Sequence, residues 1–212
     1  MHRKVRQGGF ILANRDSAFG LKPVRTLGGV PYSGAFANPY YFNSNTGSNI
    51  FIGDPVRLNG TNTTNAAAVG DFAIGMLQDI IIGATGDFFL GVVVAFEPDR
   101  DNLALVSRTA STERIAYVCD HPWMIYHMQE DSDGNSMPVT DSGLNANFVA
   151  GTGSTVTNLS AYEIDSDSAA TTATLNLRLL QLANLPDNEI GNQAIWEVMI
   201  NQQQYREITG GA

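Results

Sequence analysis

Cys119, Asp120, His121, His127, Glu130 and Asp131 fall within thirteen residues of one another. Thiol, imidazole and carboxylate groups are the ligands of zinc sites and the parts of thiol nucleophile–base sets. If the segment is a single strand, the six residues between the two imidazoles advance about 20 Å, too far for a shared ion. Pro122 is the one residue that could bend the chain there. Cys119 and His121, two apart on a strand, share a face but lack a third group to orient the pair, and the cysteine reads as a buried thiol. Asp131, Asp133 and Asn135 match the first three alternating positions of a calcium loop. The sixth position is Ser136 instead of glycine and the twelfth is Ser142 instead of a bidentate glutamate, so the segment reads as a hairpin turn. Glu163 and Asp165 read as part of a solvated acidic face. No Gly-x-Ser-x-Gly elbow, no Gly-Lys-Ser/Thr phosphate loop and no Gly-x-Gly-x-x-Gly helix start occurs. The expectation is a chain that is not an enzyme and carries no metal and no cofactor.

The charges are arranged more tellingly than the potential ligands. Arg3, Lys4, Arg6, Arg15, Lys22 and Arg25 are six of the twelve basic residues, and residues 1–25 hold a single acid, Asp16. The remaining chain carries six bases against twenty acids, a net charge of -14. A cationic segment joined to an acidic body calls for a negative surface. Nucleic acid is disfavoured as that surface, because the acidic body would repel a phosphate backbone. A protein surface fits better, whether a neighbouring copy of the chain or a different partner.

The elements that would carry these groups are strands. Twenty-one glycines, many Asn and Thr and only two lysines disfavour helices. Gly53-Asp54, Gly70-Asp71 and Gly86-Asp87 each precede an apolar run and read as turns feeding strands over 55–58, 72–77 and 88–96. Residues 91–96 lack polar alternation, which suits a strand buried on both faces at the centre of a sheet. Strands are also expected over 114–120, 123–129, 172–182 and 194–201, the last with Trp196, Val198 and Ile200 on one face. Residues 1–50 are read as an extended basic arm ordered by contacts, because they hold turns and aromatics without sustained periodicity. Residues 51–212 are read as the body. The fold class expected is all-β, a β-sandwich or barrel of jelly-roll-like type with an extended N-terminal arm. The single cysteine excludes an internal disulfide, no run of about 18 apolar residues suggests a membrane span, and the N-terminus does not read as a signal peptide.

Several segments together resemble the head decoration or cement proteins of tailed bacteriophages. They are Ala18-Phe19-Gly20-Leu21-Lys22-Pro23-Val24-Arg25, Gly53-Asp54-Pro55-Val56, GVVVAFEP at 91–98, Arg114-Ile115-Ala116-Tyr117-Val118, Gln129-Glu130-Asp131, AATTATLNLRLL at 169–180, Pro186-Asp187-Asn188-Glu189-Ile190-Gly191 and Trp196-Glu197-Val198-Met199-Ile200-Asn201. The resemblance implies a virion protein made in the host cytoplasm and bound to the outer surface of the capsid. It implies the major capsid protein and the chain itself, as a homotrimer, as partners. It supplies no catalytic residues. The arm residues expected to make capsid or inter-subunit contacts are Arg3, Lys4, Arg6, Phe10, Arg15, Phe19, Lys22 and Arg25. Two other expectations stand beside this one: a tail or head–tail junction protein, and a host-surface glycan binder using Trp123, Tyr126 and Tyr162 as exposed rings.

Overall fold

The computed structural model describes residues 14–60, 64–65 and 68–206. The chain is all-β. Its strands are β1 (Lys22–Thr26), β2 (Ala37–Phe42), β3 (Pro55–Leu58), β4 (Ile80–Ile82), β5 (Gly91–Phe96), β6 (Arg114–Cys119), β7 (Met124–Gln129), β8 (Asn145–Ala146), β9 (Phe148–Val149), β10 (Glu163–Ile164), β11 (Leu177–Leu182) and β12 (Ile195–Ile200). They form two five-stranded antiparallel sheets, in the orders β1-β7-β12-β11-β8 and β2-β6-β5-β3-β4, and a ribbon of β9 and β10.

The second sheet curls until its outer strands meet. Tyr41 N–H donates to the Gln78 carbonyl at 3.0 Å, and Tyr41 bridges Asp79 in parallel, so β2 comes to lie beside β4. The interior of this small barrel is filled by Tyr40, Phe42, Val56, Ile80, Leu90, Val93, Ala116 and Val118. Its outer face contributes Val92 and Cys119 to a second core, where they meet Met124, Tyr126, Met128, Leu177, Leu179, Trp196, Val198 and Ile200 of the first sheet. The architecture is therefore a sandwich in which one layer closes on itself. Successive side chains point to opposite faces of a strand, so Val92 and Val93 serve different cores. That double duty is why β5 shows no polar alternation, and it occupies the middle of its sheet.

Three expected elements differ. The strand expected over 172–182 begins only at Leu177, because the Asn201 amide donates to the carbonyls of Ala173 and Leu175, both at 2.8 Å, and holds that stretch as a turn. Residues 72–77 form a looped excursion instead of a strand. Asn65 organises it, donating to Ala73 O at 2.9 Å and accepting from Leu77 N through Oδ1 at 3.0 Å. The acidic stretch 131–135 joins no paired strands and so is not a hairpin turn. Asp131 and Asp133 accept from the Ser166 N–H and hydroxyl at 3.0 and 3.3 Å, which stitches the loop onto residues 165–168.

The expected arm divides in two. Residues 14–21 run over the body without regular structure. From Lys22 onward the segment supplies β1 to the edge of the first sheet and β2 to the barrel, with Leu21, Tyr40, Tyr41, Phe42 and Ile50 buried. The boundary expected at residue 50 thus falls between two strands of the barrel. Aromatic burial outweighs the absence of periodicity in this stretch.

The crossing of the arm over the barrel is tight. An added Cβ on Gly53 (φ +97°) would lie 2.2 Å from Phe19 O, and one on Gly20 (φ +69°) would lie 2.4 Å from Gly53 O. Leu21 N–H donates to that same Gly53 carbonyl at 3.0 Å. Gly53→Ala is expected to cost roughly 2 kcal/mol or more, since it combines left-handed strain with a backbone clash. Urea unfolding checks this, and a change within about 0.5 kcal/mol would show that the crossing yields freely.

Candidate functional site: an apolar groove beside the edge strand

The crossing of Phe19–Gly20 over Gly53 sets the wall of a half-open groove of about 550 Å³ next to β1. Gly53, Val93 and Val94 line it from the barrel side, and Lys22, His127 and Ile195 from the first sheet, with Phe19 and Leu185 adding apolar surface. One end is charged. Lys22 pairs with His127 across β1 and β7, and His127 pairs with Glu197 across β7 and β12, so the three form a row over adjacent strands. Arg25 binds Glu197 at 2.7 Å, and Gln181 donates to the same carboxylate oxygen at 3.0 Å. His127 Nε2 stands 3.9 Å from the other oxygen of Glu197. Burial lowers the His127 pKa, Lys22 and Arg25 add to the effect, and Glu197 opposes it. The ring is consequently neutral at pH 7, and Lys22 and Arg25 supply the positive charge at this end.

Of the expected contact residues, Arg3, Lys4, Arg6 and Phe10 lie outside the described residues. The structure brings Phe19 and Lys22 together in the groove wall and places Arg25 just beyond it, held by Glu197. Arg15 is elsewhere and exposed. Its carbonyl accepts from Gln129 Nε2 at 2.6 Å, and Ser17 N–H donates back to Gln129 Oε1 at 2.9 Å. Asn14 is fixed by a reciprocal pair, donating to the carbonyls of Glu189 and Asn192 at 2.8 and 3.0 Å and accepting from Glu189 N–H at 3.0 Å.

The residues that first suggested metal or thiol chemistry are dispersed by the fold. Cys119 ends β6 in the barrel wall, while His127 belongs to the first sheet, and the turn at 120–123 crosses between them. The segment is therefore not a single strand. His121 accepts from Trp123 N–H at 3.2 Å and meets Phe36 edge-on. Burial pushes the Cys119 thiol up to about 11, which keeps it protonated and a poor nucleophile. No group of three metal-ligating side chains occurs among the described residues. No helix among them is long and apolar enough to cross a membrane. Of the three rings considered for glycans, Trp123 is exposed but Tyr126 and Tyr162 are buried in the core, so they form no common platform.

Sequence reasoning did not foresee the groove. Its walls come from separated segments around residues 17–23, 52–53, 93–94, 127, 159, 185 and 195, and no local spacing marks residues that meet only through tertiary packing. No protein-family model, no curated protein and no solved structure matches this chain.

Proposed function

We propose that this chain is a non-enzymatic structural protein that decorates the outer surface of a tailed-phage capsid and cements it, binding across major capsid protein subunits as a homotrimer. The observation that carries a binding role is the presence of exposed apolar tips on loops whose backbones are already fixed. In the excursion held by Asn65, Ile74 and Met76 are 68% and 67% exposed. In the loop after β5, Leu103 is 77% exposed. There Asp99 caps the N–H groups of Asp101 and Asn102 at 2.9 and 3.1 Å, and Arg114 grips Asp99 and Leu105 O at 3.1 and 2.8 Å. An apolar contact on a preorganised loop binds without a large ordering cost, as an adhesive surface requires. The resemblance of the sequence segments to head decoration proteins is what favours a phage head as that surface.

The basic segment would add an electrostatic component. Neutralising Arg3, Lys4 and Arg6 together is expected to weaken attachment to heads and to flatten its salt dependence, because screening acts on exposed charge pairs. Co-sedimentation with heads at 50 and 500 mM salt measures both. Attachment that responds to neither the substitutions nor salt would remove the arm from the binding mechanism.

The deciding experiment is thermal rupture of heads with and without the protein, together with an image of the decorated particle. Binding the closed lattice and not separated subunits stabilises the shell by linkage, and many copies multiply a contribution of about 1–2 kcal/mol each. Rupture temperature should fall when the protein is absent. An unchanged rupture temperature, or density on the tail, would replace cementing with the tail or head–tail junction reading.

A further inference from the structure

We propose that the groove beside β1 receives an extended peptide segment of a partner protein that combines apolar side chains with a carboxylate, the carboxylate lying on Lys22. This rests on reading the chain as an assembly protein and names the chemistry its partner presents. The walls at Phe19, Val94, Leu185 and Ile195 are apolar, and about 550 Å³ is enough for several side chains. The cleft is half open, so it covers only one side of an occupant. A segment anchored by the rest of its own protein suits such a cleft better than a free small molecule, which needs most of its surface enclosed.

Charge selects the occupant. Arg25 is held by Glu197 at 2.7 Å, whereas Lys22 is exposed and makes no ion pair among the described residues. The chain beyond residue 25 carries six bases against twenty acids, so most of the surface repels an acidic segment and the Lys22 end of the groove is a place where one is attracted. Attraction at one point within a repulsive surround fixes register as well as affinity. The rival occupant is residues 1–13 of this chain, which contain the apolar run Phe10-Ile11-Leu12 and adjoin Asn14. That segment carries Arg3, Lys4 and Arg6 and no acid, and so does not complement Lys22.

The test is NMR titration of the full chain with two synthetic peptides, N-acetyl-Leu-Val-Ile-Glu-amide and its lysine counterpart. Signals of Val94, His127 and Ile195 should shift with the acidic peptide, which should bind about five-fold more tightly than the basic one, the advantage of a single exposed ion pair. Lys22→Glu should reverse that preference. Lys22→Met, which keeps an apolar stem, should erase the preference while leaving the apolar contact. Absence of shifts at Val94 and Ile195, or equal binding of the two peptides to the natural chain, overturns the proposal. So does tighter binding of octanoate, which marks a small-amphiphile site, or of a peptide spanning residues 1–13, which marks a self-docking site. Head co-sedimentation separates this inference from the wider one. A chain that decorates heads yet ignores the acidic peptide rejects only the groove assignment, and a chain that binds the peptide but not heads rejects the capsid reading.

Discussion

Replacing Arg108 with methionine should lower the unfolding free energy by roughly 3–5 kcal/mol. The guanidinium is fully buried. It donates through Nε to Thr112 O at 2.9 Å, through Nη1 to Ser48 O at 2.6 Å, and through Nη2 to Asn43 O and Thr46 O, both at 2.9 Å. It also lies 5.2 Å from the centre of the Phe42 ring in the barrel interior. Four backbone carbonyls from two loops would lose their donor together, and each buried acceptor left unpaired costs about 1–3 kcal/mol before relaxation. Water entering the vacated site would recover part of that sum, which keeps the expected loss in the range given. Arg108→Lys should recover little, since three donors on a point-like ammonium cannot reproduce a planar fork serving four carbonyls. Urea unfolding gives the measurement. A loss below about 1 kcal/mol in the methionine variant would show that the two loops are held mainly by their own turns.

The second large effect concerns pH. Glu130 ends the β7 side of the core, fully buried, with Oε2 accepting from Met137 N–H at 2.9 Å. Burial pushes this carboxyl from 4.5 up to about 7, with the backbone of Met137 and Ala194 and the indole of Trp196 opposing and the neighbouring Asp131 adding to the rise. Half-buried Glu163 is raised to about 7 by burial, and Asp16 and Asp131 push in the same direction. A carboxyl whose folded pKa exceeds its unfolded value binds more protons in the folded state. Its stabilising contribution is complete below about pH 4.5 and disappears as pH rises through 7. For Glu130 the span corresponds to about 3 kcal/mol. Glu130→Gln should remove that slope and make the protein more stable than the natural chain at pH 8. Urea midpoints at pH 5, 6.5 and 8 for both proteins supply the comparison, and parallel pH profiles would mean that Glu130 stays ionised in its burial site.

Fold class was legible from the sequence because turn chemistry and apolar alternation are local. The run at 91–96 announced its burial on both faces by lacking polar residues, and Trp196, Val198 and Ile200 declared their common face by spacing. What stayed hidden was set by distant partners. The single Asn65 turned an apolar run at 72–77 into a loop, and the Asn201 amide withheld Ala173 and Leu175 from β11. Residues 1–50 read as an arm because turns interrupt any sustained periodicity, although Tyr40 and Phe42 alternate inward as an ordinary strand would. Lys22 and Phe19 stood out in the sequence by charge and by aromatic character. Their meeting with Leu185 and Ile195 was not, because it depends on which strands the two sheets place side by side.

The order of strands also determines when each part of the molecule can form on the ribosome. β2 to β6 are consecutive in the chain and build the whole barrel, whereas β1 must wait for β7, and β7 for β12. The barrel is thus complete about 80 residues before its neighbouring layer, a delay of roughly 4–16 s at ordinary synthesis rates. During that interval the barrel is a finished core with one greasy outer wall, at Val92 and Cys119, and the N-terminal strand is left waiting beside it.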